Sequence, residues 1–147
     1  VKKFEFRLAS VLRLRETQLS VEKNKLQQLF AERAKLQKNL DSIAQERNES
    51  EVWLQAESDP TSADMRSLSA FLLGSKARES TLSQAIESCD AEIAEQRQKT
   101  LLAERNQKLL LNLKSQRRVE WQHEFDKELE IVAQEAWQSA ARSKHQA

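Results

Sequence analysis

From Leu26 onward the seam of the chain advances by alternating threes and fours: Leu26, Leu29, Arg33, Leu36, Leu40, Ile43, Arg47, Ser50, Leu54. That alternation is the heptad signature of a coiled coil. Leu12 and Leu19 continue one seam position toward the N-terminus, with Leu8 and Val11 beside it. The pattern predicts a helical first arm over residues 4–57. A second seam reads Leu82, Ile86, Cys89, Ile93, Gln96, Thr100, Ala103, shifts through Leu109 and Leu113, and reaches Trp121, Phe125, Leu129 and Val132. It predicts a second arm over residues 75–142. Residues 58–74 between them hold the only proline, Pro60, which disfavours helix at Asp59. Asp59 or Thr61 would cap a new helix start. Met65, Leu68, Phe71 and Leu72 form a short apolar stripe, and Gly74 either ends a tip helix or weakens a continuous one.

Two arms joined by one short turn lie antiparallel. The expected fold is therefore all-α, a single coiled-coil hairpin of two long helices with a short helix or turn at its tip. Pairing Leu40 with Cys89, Ile43 with Ile86 and Leu36 with Ile93 brings Phe4 opposite Phe125. About the last twenty residues then overhang, on the order of 30 Å of helix.

Composition narrows the function classes. With one Gly and one Pro in 147 residues, the chain lacks the punctuation of a loop-rich globular domain. Hydrophobic residues at 39% supply a narrow seam better than a thick core, and no β-branched or aromatic runs suggest a sheet. Cys89 is alone, so no internal disulfide forms, which suits a reducing compartment. No apolar run approaches a membrane span or a signal-peptide core. A cytoplasmic protein is expected. The first residue is Val rather than Met, as an alternative start codon or removal of upstream residues would give.

The net charge of +1 hides a strong segregation. Residues 1–40 carry ten Lys/Arg against four Asp/Glu, and residues 96–118 carry seven against one. Residues 41–95 carry four against twelve, and residues 119–147 three against six. In a hairpin the basic stretches lie side by side, as do the acidic ones around the turn. Like charges across a seam do not stabilise it, so the pattern points to partners of opposite sign.

No catalytic, metal or cofactor constellation is visible, and a non-enzyme is expected. His123 and His145 are far apart in sequence and read as surface residues. Cys89 has no paired base and reads as a small seam hydrophobe. One glycine makes no phosphate loop. Arg33 and Arg47 fall on the seam, where their stems pack while their heads reach a cross-arm carboxylate such as Glu92 or Glu79. Glu120, Glu124 and Glu128 form an acidic stripe at helical spacing that favours a basic partner surface. The basic stretch 97–118 lacks the aromatic ladder of a single-strand binder and the zipper of a basic-region helix, so nucleic acid is not an expected partner.

The opening stretch, Phe4-Glu-Phe-Arg-Leu-Ala-Ser-Val-Leu-Arg-Leu-Arg-Glu16, resembles the start of the FliJ family of flagellar type III export proteins. Members typically open with aromatic–x–aromatic–Arg–Leu and a Leu-x-Leu-Arg-Glu-like step, matched here by Phe4, Phe6, Arg7, Leu8, Val11, Leu12, Leu14, Arg15 and Glu16. Chain length, one proline-bearing turn near residue 60 and Leu68-Ser-Ala-Phe71-Leu72 extend the likeness in layout. The resemblance implies a stalk-like adaptor of the export ATPase hexamer. It would be linked to the cytoplasmic domain of the membrane export gate, with export chaperones as further partners and no insertion into the membrane. It implies a cytoplasmic protein held at the inner membrane through the export apparatus. The ATPase-facing residues would be Phe4, Phe6, Arg7, Arg13 and Arg15 with Trp121, Phe125, Leu129, Val132 and Trp137. The gate-facing residues would be Asn39, Ile43, Glu46, Ser50 and Phe71. Some relatives carry aromatics where Glu46 and Ser50 stand. The competing expectation is a structural or adaptor coiled coil that self-associates, without an export role.

Overall fold

The computed structural model describes residues 2–146 of the chain. The fold is all-α, a helical hairpin of α1 (Ala9–Ala56, 48 residues) and α2 (Ser62–Gln146, 85 residues). No strand occurs among the described residues.

The turn is set by local chemistry. Glu57 donates its amide to the Trp53 carbonyl at 3.1 Å, closing α1. Thr61 caps α2. Its Oγ1 accepts from the Asp64 amide at 3.1 Å, and the Asp64 carboxylate accepts from the Thr61 amide at 3.1 Å. This reciprocal pair satisfies two otherwise orphaned donors, and it puts a negative charge in the first turn, where the helix dipole favours it. The capping residue is thus Thr61. The tip stripe Met65–Leu72 is the beginning of α2 rather than a separate helix, because α2 continues through Gly74 with no positive φ.

The first arm begins later than its heptads predict. Helix starts at Ala9, not at Phe4. Residues 3–8 alternate charged and apolar side chains, Lys-Phe-Glu-Phe-Arg-Leu, a period of two that suits extended chain. In that form Phe4 and Phe6 are both half-buried while Lys3, Glu5 and Arg7 stay in water. A short turn then leads into the helix, with the Ala9 amide bonded to the Phe6 carbonyl at 3.1 Å.

The chain divides into two compact units, residues 1–19 with 102–147, and residues 20–101. In the unit of residues 20–101 the seam buries Ile43, Ile86, Cys89 and Ile93, together with Ser75 and Gln96. Leu36 and Leu40, expected at the centre, are half-buried. Two helices shield one line of side chains well and the neighbouring lines only partly, so the buried set is short. In the other unit Leu12, Leu19 and Ala103 are buried.

The register differs from the expected pairing. Cys89 Sγ donates to the Leu29 carbonyl at 3.6 Å, rather than facing Leu40. Arg33 pairs with Asp90 at 2.6 Å, where Glu92 was one expected partner, and Arg47 pairs with Glu79 as expected. Ile43 shares a groove with Leu82, Ala77 and Thr81. A polar layer accompanies the shift. Gln96 donates to the Glu22 carbonyl at 3.1 Å and to its carboxylate, and the Thr100 hydroxyl donates to the Gln96 carbonyl at 2.9 Å. A buried amide that finds partners in one register only penalises every slip. Apolar heptads alone do not distinguish registers one heptad apart, which is why the expected pairing of Leu40 with Cys89 missed this one.

Candidate protein-binding surfaces

In the unit of residues 1–19 and 102–147, the segment before α1 lies on α2. The Trp121 indole Nε1 donates to the Lys2 carbonyl at 3.0 Å. The Phe4 ring sits 6.0 Å from the Trp121 ring, and Trp121 stacks on Phe125 at 5.2 Å with 24° between planes. Offset aromatic contacts of this kind contribute about 0.5–1.5 kcal/mol beyond the area they bury. Phe4, Phe6, Trp121 and Phe125 are therefore brought together, half-buried, as the packing that holds the N-terminal segment. Arg7 and Arg13 are exposed, and Arg15 is half-buried with Nη1 donating to Gln18 Oε1 at 3.1 Å. Lys2, Lys3, Arg7 and Arg117 surround the groove between segment and helix, where Glu5 is the only lining carboxylate. The seam heptads did not reveal this groove, although the period-two alternation of residues 3–8 carries its signal.

Beyond Phe125 the apolar line of α2 continues without a cover. On that line Leu129 and Val132 are 48% and 60% exposed, and Trp137, on a different face of the helix, is 74% exposed. Among the described residues the N-terminal segment reaches Trp121, Glu124, Phe125 and Glu128 through Lys2.

In the unit of residues 20–101, Glu46, Ser50 and Phe71 line one groove with Glu49, Trp53 and Asp64. Its chemistry is aromatic and acidic. The Ser50 hydroxyl donates to the Glu46 carbonyl at 2.9 Å, so it is occupied within its own helix. Glu46 lies 3.9 Å from Arg78, an exposed pair of the kind that contributes about 0–1 kcal/mol. Asn39 and Ile43 fall in a separate groove with Ala77, Arg78, Thr81 and Leu82. Asn39 is exposed, but Ile43 is buried in the seam. Its side chain holds the arms together and is not free to meet a partner. Arg97 lies over the Phe30 ring at 5.3 Å, a cation–π contact of roughly 0.5–1 kcal/mol at an exposed site.

Among the described residues, two ionisable groups are clearly shifted. Burial pushes the Cys89 thiol above its ordinary range, and Glu32, Glu92 and Asp90 push it the same way. A thiol so held is a poor nucleophile. The hydrogen bond from Arg33 to Asp90, with the carboxylate charge, raises the guanidinium further above its usual value. No group of three or more potential metal ligands occurs among the described residues, and no described helix is long and apolar enough to cross a membrane. Compared with family models, with curated proteins and with solved structures, the chain has no match.

Proposed function

We propose that this chain is a non-catalytic stalk and adaptor of the bacterial flagellar export apparatus. It binds the export ATPase ring through the unit of residues 1–19 and 102–147. It engages the cytoplasmic domain of the export gate through the acidic groove of Glu46, Trp53 and Phe71. Export chaperones are further partners. It works in the cytoplasm, held at the inner membrane through the apparatus.

The observation that carries this reading is how the N-terminal motif divides its labour. Phe4 packs on the Trp121 ring and Phe6 is half-buried in the same groove, while Arg7 and Arg13 remain in solvent. A motif needed only for packing has no use for exposed arginines around the aromatic anchor. A partner with carboxylates does. One asymmetric chain in a six-fold ring cannot match every subunit at once, so shallow, largely electrostatic contacts suit the role. The chemistry of ATP turnover stays with the partner.

Stimulation of the cognate ATPase tests the proposal. The wild-type chain is expected to raise turnover. Reversing Arg7, Arg13 and Arg15 to Glu is expected to lower that stimulation about tenfold, the equivalent of about 1.4 kcal/mol of binding. A wild-type chain without effect, or full stimulation by the reversed variant, overturns it. The second reading, a self-associating adaptor, draws on exposed Leu102, Leu109 and Val119 along α2. It expects a dimer in light scattering, where the stalk reading expects a monomer.

A further inference from the structure

We propose that residues 126–146 of α2 form half of a seam that is completed by one basic amphipathic helix of a partner protein. The inference deepens the assignment of this end to a partner and rests on it, naming the chemistry of the element that docks. From Trp121 the apolar positions run Phe125, Leu129, Val132 and Ala136, in steps of four, four, three and four. That spacing keeps them on one helix face. The face is the continuation of the line that the N-terminal segment covers at Trp121 and Phe125. Coverage stops there among the described residues, and Leu129 and Val132 are about half exposed or more. An apolar line that passes from covered to uncovered along one helix has the geometry of a docking seam.

Charge selects the occupant. Glu124, Glu128 and Glu135 follow one edge of the face, and Asp126 and Glu130 the other. Across residues 119–141 the only cation is Lys127, which sits 3.9 Å from Glu124. A second copy of this chain docking here would set carboxylate edges against carboxylate edges. A helix with lysine or arginine beside its own apolar stripe neutralises both edges as it buries Leu129 and Val132. The same logic excludes an anionic membrane surface as the occupant.

The test uses the full chain and a designed probe helix with leucine at a and d and lysine at e and g, against a counterpart with glutamate at e and g. Fluorescence anisotropy is expected to show the lysine probe binding at least about tenfold tighter, with the preference fading as salt rises. The double variant Leu129→Ser, Val132→Ser is expected to weaken that binding about tenfold. Glu128→Lys with Glu135→Lys is expected to turn the preference toward the glutamate probe. Circular dichroism on each variant confirms that helix content is kept, as expected for exposed positions. Equal binding of both probes, or binding indifferent to Leu129 and Val132, overturns the proposal. So does a wild-type dimer that the Leu129→Ser, Val132→Ser variant abolishes, because the seam's occupant is then a second copy. The probe measurement involves no ATPase, so failure of this inference is separable from failure of the stalk reading.

Discussion

Single residues in the unit of residues 20–101 show where packing and sequence disagree. Gly74 is the only glycine of the chain and lies inside α2, with no positive φ and, apart from its chain neighbours and the adjoining backbone of its own helix, nothing within 4 Å of the place its Cβ would occupy. Neither a turn nor a close approach demands it. Replacing it by Ala is expected to stabilise the unit by about 1 kcal/mol, the usual helix-interior difference, as read by urea denaturation. A loss of stability would mean that the backbone at Gly74 bends. Cys89 gives a second expectation. Its thiol is buried and pushed upward, so iodoacetamide should modify it far more slowly at pH 8 than it modifies glutathione, and quickly once denaturant is added. The linkage has a definite sign. A thiol whose folded pKa is raised keeps its full stabilising effect below the unfolded pKa and loses it as pH rises through the folded one. Stability is therefore expected to fall on the alkaline side. Modification as fast as glutathione's would place Cys89 outside the seam.

At the scale of the helices, the hairpin, its single turn and its seam residues were legible from heptad spacing, one proline and a Thr-x-x-Asp cap. Two things were not. The start of α1 was obscured because Phe4, Phe6 and Leu8 satisfy a loose apolar count whether the chain is helical or extended, and the indole bond to the Lys2 carbonyl is tertiary. The register was hidden because hydrophobic pairing alone is nearly degenerate between neighbouring heptads. It is fixed by the polar layer of Gln96, Thr100 and Glu22, whose fit depends on three-dimensional placement. Crosslinking decides between the registers. Leu29→Cys is expected to form an intramolecular disulfide with Cys89 under mild oxidation, whereas Leu40→Cys is not. Leu40 lies eleven positions further along α1, about 16 Å at the helical rise. Crosslinking through Leu40→Cys alone would restore the sequence-based pairing.

At the scale of the whole molecule, the site residues were only partly legible. The family resemblance marked Phe71, Glu46 and Ser50, which line one groove, and Asn39, which lines another. It also marked Ile43, which the fold consumes as core. A β-branched aliphatic at a heptad position serves packing first, and position alone did not separate the two uses. The charge segregation survives as a property of each unit taken by itself. The unit of residues 1–19 and 102–147 carries thirteen Lys/Arg against nine Asp/Glu, and that of residues 20–101 eleven against fourteen. Modest totals of this kind conceal sharper local fields, because the carboxylates of residues 120–135 lie on the same helix as Lys114, Arg117 and Arg118.

The single turn also dictates an order of assembly. Arg33 meets Asp90 across 57 positions of chain, Cys89 meets Leu29 across 60, Gln96 meets Glu22 across 74, and Trp121 meets Lys2 across 119. Closing each longer loop from the unfolded chain costs more entropy, although doubling the length adds only about 0.6 kcal/mol. Once the arms have met near Thr61, however, each further pair closes only a short additional gap. Within the unit of residues 20–101 the pairs nearest the cap are therefore expected to close first and the polar layer of Gln96 and Glu22 last. By microscopic reversibility the same layer is the first part of that unit to open, so the contacts that fix the register are also the ones that fray first.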